Sequence, residues 1–212
     1  MKGSCNNSQR LEGNLLVFAT TNENKFFEVR TALGATGIPL RSLRDYPGAP
    51  EVEETGSTFA ENAKLKAKTY FEFLQKPVLA EDSGLIVPAL GGYPGIASAR
   101  IAGTDEERIG IILEKLRDSK DRAAYYVCNL CFLSGDEMHQ VEATCDGSIL
   151  ESPVGTLGFG YDPIFRPKAS ARSFGQMSVR EKANYSHRAA AVRLMLPRLL
   201  AAFRPNPTKT LR

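Results

Sequence analysis

A mixed α/β fold, with a central sheet flanked by helices, is predicted by two features of the sequence. Apolar runs short enough for buried strands alternate with stretches of helical period through the first half of the chain. The segment after residue 120 breaks into strand-like runs separated by Gly-bearing turns. Those hairpins argue against a purely parallel, doubly wound sheet.

The first element is Leu15-Leu-Val-Phe-Ala19, an apolar run suited to a buried strand. The polar turn 20–24 follows, then a helix over 25–33 whose Phe26, Val29, Ala32 and Leu33 share one face. At such a strand–loop–helix junction the first backbone N–H groups of the helix face any bound anion. A short extended stretch at 38–43 leads through the Pro- and Gly-bearing loop 46–50 to the acidic run 51–54. Thr58 and Glu61 have capping-box spacing, predicting a helix that buries Phe59, Ala63, Ala67, Tyr70, Phe71 and Leu74. Residues 77–80 read as a second buried strand that delivers Glu81-Asp82-Ser83-Gly84 at its end, where α/β proteins often place their chemistry.

Thr104 and Glu107 repeat the capping-box spacing ahead of a helix that turns Ile109, Ile112, Leu113 and Leu116 inward. Residues 125–133, 140–145 and 148–150 read as an antiparallel meander turned at Gly135-Asp136 and Asp146-Gly147. A last helix is expected from about Ser186 to Phe203, kinked by Pro197. No repeat or linker divides the chain, so one domain is expected over 15–203, with 1–14 an N-terminal extension and 204–212 a C-terminal tail.

A formal net charge of +3 over 212 residues is too small to grip a polyanion by charge alone, so no nucleic-acid partner is expected. No apolar run reaches the roughly 18 residues of a membrane span, and the first thirteen residues are polar, which points to a soluble, cytoplasmic protein with no membrane partner. Among Cys5, Cys128, Cys131 and Cys145, only Cys128 and Cys131 have the spacing of a metal or redox pair. On a strand, positions three apart face opposite sides, so the four are read as reduced thiols.

A G-x-x-x-x-G-K-[ST] loop is absent, and Gly155-x-x-Gly158-x-Gly160 lacks dinucleotide-binding spacing, which removes the common kinase and dehydrogenase readings. The two histidines, His139 and His187, stand in no zinc motif or cysteine–histidine cluster. Acidic residues are left to carry any metal. Glu53-Glu54 precedes a helix and Glu81-Asp82 follows a strand; carboxylates with water suit Mg²⁺. The same pairs also read as a solvated face and a helix-capping turn. His187 and Arg188 fall in the first turn of a helix, against the positive end of its dipole, an arrangement that a bound anion would offset. A chance surface cluster is the alternative there. In Phe159-Gly-Tyr-Asp-Pro-Ile-Phe165, aromatic faces stand beside a glycine that lets backbone approach a planar ligand, or else the segment is a tight aromatic core turn.

Thr20-x-Asn22-x-x-Lys25, Glu53-Glu-Thr-Gly-Ser-Thr-Phe-Ala-Glu-Asn62, Glu81-Asp-Ser-Gly-Leu85, Leu90-Gly-Gly-Tyr-Pro-Gly-Ile-x-Ser98-Ala-Arg100, Gly158-Phe-Gly-Tyr-Asp-Pro-Ile-Phe165 and Lys182-x-x-x-Ser186-His-Arg188 occur in this order. From about residue 15 to 203 the chain thus resembles the inosine triphosphate pyrophosphatase family.

The resemblance implies a long mixed sheet with flanking helices forming two lobes around a substrate cleft, usually as a homodimer. It makes Asp82 the catalytic carboxylate and a metal ligand, Glu53 the second acidic ligand, and Glu54 a helper. Thr20, Asn22, Lys25, Lys66 and Ser83 would hold phosphates; Phe159, Gly160, Tyr161, Asp162, Lys182, His187 and Arg188 would frame base and sugar. The implied reaction is hydrolysis of ITP, dITP and XTP to monophosphate and pyrophosphate, with Mg²⁺ as cofactor and Mn²⁺ as a candidate substitute. A nucleotide-binding module without catalysis, and a pyrophosphatase for other nucleotides, are the alternatives. Thr21 stands where the family often has Gly, Glu81 where it often has Asp, and residues 1–14 lie outside the resemblance.

Overall fold

The computed structural model describes residues 15–203; Cys5, the expected extension 1–14 and the expected tail 204–212 lie outside the described residues. A six-stranded sheet in the order β2-β1-β3-β4-β5-β6 runs through the molecule. β1 (Leu16–Phe18) is parallel to β2 (Leu40–Ser42) on one side and to β3 (Val78–Ile86) on the other. Helix α1 (Glu23–Leu33) makes the first crossover and α2 (Phe59–Leu74) the second. The remainder is antiparallel: β3 pairs with β4 (Ala123–Ser134), β4 with β5 (Glu137–Ile149), and β5 with β6 (Phe165–Pro167). The mixed sheet expected from the sequence is therefore present.

Both predicted capping boxes form. Thr58 and Glu61 open α2, and Thr104 and Glu107 open α3 (Asp105–Lys115). Each box satisfies amide groups that the first helical turn cannot pair internally. Helix α1 starts two residues earlier than its apolar period suggested, because the Asn22 side chain caps it by accepting from the Lys25 N–H at 3.1 Å. The short α4 (Val179–Lys182) precedes α5 (His187–Phe203), which contains Pro197.

Two strand boundaries differ from expectation. Glu81 to Gly84 do not follow a strand but lie inside β3, registered against Leu130, Asn129, Cys128 and Val127 of β4. Polar residues are tolerated within this buried ladder because each side chain finds a charged or amide partner, as shown below. Asp146-Gly147 is not a turn either; β5 passes straight through it. A side chain at Gly147 would stand 2.4 Å from the Arg166 carbonyl, so this glycine serves the close approach of β6.

Strand alternation sorts the core. Leu79, Cys128, Leu130 and Phe132 pack toward α1 and α5, whereas Val78, Ala80, Cys131 and Leu133 pack toward α2. Cys128 and Cys131 are thus buried on opposite faces, and three described cysteines are free. The far ends of β3, β4 and β5 carry a further core, where Leu85, Tyr126 and Ile149 meet Ile109 and Ile112 of α3 together with Phe165 and Phe174. The long central strands span both packed regions, and the cleft lies between them. Among the described residues no helix is long and apolar enough to cross a membrane.

Candidate active site

β3 sends consecutive carboxylates to opposite faces of the sheet. On the face covered by α1 and α5, Glu81 is almost fully buried and receives the Arg188 guanidinium through Nε at 2.7 Å and through an NH₂ group at 3.0 Å. Lys25 Nζ lies 3.0 Å from the same carboxylate. Ser83 donates to Glu81 at 3.1 Å and accepts from Arg188 at 3.1 Å. Burial disfavours the Glu81 charge, but Arg188 and Lys25 overcome it and hold the carboxyl well below its ordinary range.

The chain of charges continues past Arg188. Its other guanidinium arm donates to Glu28, whose second oxygen lies 2.7 Å from Lys182; Lys182 in turn donates to Asp162. Burial opposes ionisation of Glu28, yet Lys182 and Arg188 hold it down at about 2. Asp162 is pushed upward by burial more than Lys182 pulls it back. The expected conflict between cations and the α5 dipole is resolved differently from the sequence reading. Glu28 and Glu81 compensate Arg188, and His187 is held neutral, because burial and then Arg188 push it well below its ordinary value. The His187 ring stacks on Tyr126 at 4.6 Å, and its Nδ1 is buried without a hydrogen-bond partner among the described residues.

The loop 158–162 closes this side of the cleft. A side chain at Gly158 would overlap the Asp162 carboxylate, which accepts the Phe159 N–H at 3.0 Å. Lys182 lies 5.0 Å from the Phe159 ring centre and Arg188 5.7 Å, so a cationic wall backs an aromatic face. Asn22, Lys25, Ser83, Phe159, Gly160, Tyr161, Asp162, Lys182, His187 and Arg188 all line one cleft of about 190 Å³.

On the opposite face of β3, Asp82 meets α2. Lys66 Nζ stands 3.2 Å from Asp82 and 2.8 Å from Glu54, and Asn62 donates to the other Asp82 oxygen at 3.1 Å. Burial raises the Asp82 carboxyl above its ordinary range, with Glu54 adding to the rise and Lys66 and Asn62 opposing it. Arg100 donates to the second Glu54 oxygen. Glu53 is exposed and forms no ion pair among the described residues; its carbonyl accepts the Thr55 N–H at 3.0 Å. Thr20 is buried in the β1–α1 loop, its hydroxyl accepting the Asn22 N–H at 3.1 Å. Thr20, Glu53, Lys66 and Asp82 do not line the cleft that holds the other candidates.

Asn62 and Glu28 are buried polar partners of these site residues that the sequence reading did not single out. Asn62 sits on the apolar stripe of α2 beside Ala63, which was a legible signal. Glu28 follows Lys25 by one helical turn, and nothing local marks it as buried.

A cleft at the seam of a mixed sheet, with an aromatic face, carboxylate-paired cations and a separate carboxylate–lysine group, defines an α/β protein with a polar small-molecule site. The chain belongs to the Ham1 family, whose model matches residues 16–198. A dITP/XTP pyrophosphatase of Geobacillus kaustophilus is 44% identical over 183 residues, covering 84% of this chain and 90% of that protein. Another, from Gloeobacter violaceus, is 43% identical, covering 85% and 92%. The Staphylococcus aureus Ham1 protein superposes with a TM-score of 0.78 at 37% identity, covering 88% of this chain and 98% of the other. A HAM1 protein from Coxiella burnetii gives the same TM-score at 34% identity, covering 88% and 98%. Family and fold agree with the resemblance read from the motifs.

Proposed function

We propose that this protein is a nucleoside triphosphate pyrophosphatase that hydrolyses ITP, dITP and XTP to the monophosphate and pyrophosphate, removing aberrant purine nucleotides from the pool. The observation that carries the reading is the division of labour across β3: Lys25, Ser83 and Arg188 beside an aromatic loop on one face, and Asp82 with Lys66 on the other. The names of the relatives, dITP/XTP pyrophosphatases, support it.

In this reading Lys25 and Lys66 neutralise the phosphates, with Thr20, Asn22 and Ser83 supplying uncharged polar contacts. Phe159, Gly160, Tyr161 and Asp162 frame the base with Lys182, His187 and Arg188. Asp82 is the catalytic carboxylate, accepting the proton of the attacking water or holding the ion that would lower the pKa of that water. Cleavage falls between the α- and β-phosphorus, releasing pyrophosphate.

The donor set suits Mg²⁺. Asp82 and Glu54 already converge on one cation, the Lys66 ammonium, and both offer hard oxygen donors. Among the described residues no three acidic, histidine or cysteine side chains form a ready cage, and Mg²⁺ characteristically completes its shell with water and substrate phosphates. Asp82 and Glu53 would hold the ion, with Glu54 as helper and Mn²⁺ as a candidate substitute. When bound, Mg²⁺ supplies charge neutralisation and lowers the pKa of a coordinated water. We extend the proposal to a single catalytic domain over 15–203, acting as a cytoplasmic homodimer.

The test is pyrophosphate release from ITP, XTP, GTP, ATP and dUTP with and without Mg²⁺. Release from ITP and XTP with little from ATP is expected, because donors that suit a C6 keto oxygen would face the adenine amino group. ATP turnover equal to ITP turnover would remove the selectivity, and no turnover of any of them would leave a binding module.

A further inference from the structure

The segment 95–108 takes no part in the functions assigned so far, yet it touches both ends of the site. Ser98 is pinned to β3: its hydroxyl accepts the Leu85 N–H at 2.9 Å and donates to the Gly95 carbonyl at 2.6 Å. A side chain at Gly84 would lie 2.5 Å from that hydroxyl, so the glycine permits the close seating. From this anchor, Arg100 reaches back to Glu54 on the acidic side. The Ser98 carbonyl accepts the Tyr161 hydroxyl at 2.8 Å. Asp105, the first residue of α3, accepts the Gly160 N–H at 2.6 Å with one oxygen and receives Arg108 at 2.5 Å with the other.

The loop 158–162 therefore has three anchors on three elements: Asp162 to Lys182, Tyr161 to Ser98, and Gly160 to Asp105. The first two hold its C-terminal end. Gly160 stands at its tip with φ +61, and a side chain there would meet nothing within 4 Å, so the tip borders open cleft on one side and Asp105 on the other. Without Asp105 the tip keeps no tertiary hydrogen bond of its own among the described residues, and Phe159 precedes it directly.

We propose that Asp105 is a positioning residue for nucleotide recognition. It holds the Phe159–Gly160 tip in the binding-competent arrangement before the ligand arrives, so ordering is not paid for out of binding energy. The inference rests on the reading of this loop as the base frame. It assigns Asp105 no contact with the reacting atoms, and so predicts an effect on binding and not on turnover.

The experiment compares Asp105→Ala with Asp105→Asn, whose amide oxygen can still accept from Gly160. Asp105→Ala should raise KM for ITP about tenfold or more with kcat within about threefold, and Asp105→Asn should restore KM to within about threefold of wild type. In ¹⁵N-labelled, nucleotide-free protein, the Gly160 amide should exchange slowly in wild type and Asp105→Asn, and at least about tenfold faster in Asp105→Ala. A merely structural role would lower the melting temperature without separating KM from kcat. Folded Asp105→Ala with wild-type KM and wild-type exchange at Gly160 would overturn the proposal. Should Asp105→Ala fail to fold, a wild-type protein whose Gly160 amide is unprotected would overturn it equally. If wild type releases no pyrophosphate from ITP, the activity reading fails, while the exchange comparison still decides whether Asp105 holds the loop.

Discussion

Glu81 and Asp82 are neighbours in β3, but their carboxylates serve opposite faces of the sheet: Glu81 lies against Arg188 and Lys25, Asp82 against Lys66 and Asn62. Their environments also drive them apart. The guanidinium of Arg188 and the ammonium of Lys25 outweigh burial at Glu81 and keep it ionised, whereas at Asp82 burial prevails and raises the carboxyl. One residue is thus a fixed structural anion, and the other a carboxylate whose charge its burial disfavours.

Asp82→Asn should abolish most pyrophosphate release, a loss on the order of several kcal/mol of transition-state stabilisation. The fold should survive without a lowered melting temperature, because burial disfavours the charge that is removed. Turnover and thermal melting on the same preparation check both halves. A folded variant with near-normal turnover would take Asp82 out of the mechanism.

Arg188→Ala should be far more damaging to stability. It leaves Glu28 and Glu81 buried without their shared cation, a loss of about 3–5 kcal/mol for breaking a buried pair. Urea unfolding at neutral pH measures it, and a change below about 1 kcal/mol would mean that the network reorganises around the gap.

His187 should make stability fall as pH drops below 6.5. Its native pKa is depressed by burial and by Arg188 and Lys182, with Glu28 and Glu81 opposing, so the unfolded chain takes up a proton that the native protein refuses. The stabilisation is complete above the unfolded value and is lost toward the folded one, at up to about 1.4 kcal/mol per pH unit. Glu28, depressed to about 2, adds its pH dependence only below its ordinary value of 4.5, and the raised carboxyls of Asp82 and Asp162 are common to wild type and variant, so the comparison with His187→Phe isolates the histidine. Urea unfolding of wild type and His187→Phe across that range should give a steeper pH dependence for wild type; equal slopes would contradict the assignment.

Chelation should abolish pyrophosphate release, and added Mg²⁺ should restore it, with Mn²⁺ substituting, since hard carboxylate oxygens accept both. Zinc should not be needed. Full activity in metal-free buffer would refute the ligand role given to Asp82 and Glu53.

Much of the architecture was legible locally. The caps at Thr58 and Thr104, the buried face of α2 at Ala63 and Ala67, and the opposite facing of Cys128 and Cys131 follow from spacing alone, because helix and strand periods are properties of a single segment. Lys25, Ser83 and Phe159 belong to three separate sequence motifs, and the tertiary structure brings them to one cleft.

The sequence by itself determined the mixed α/β class, the order of elements and the family. Only the tertiary structure decided that β3 runs on through Glu81 and Asp82 and that β5 does not break at Gly147, since each depends on what a neighbouring strand offers as a ladder partner. It alone made Glu28 a buried anion. That carboxylate is compensated by Arg188, 160 residues away in sequence, and by Lys182, and a charge can be removed from water only where its partners arrive with it.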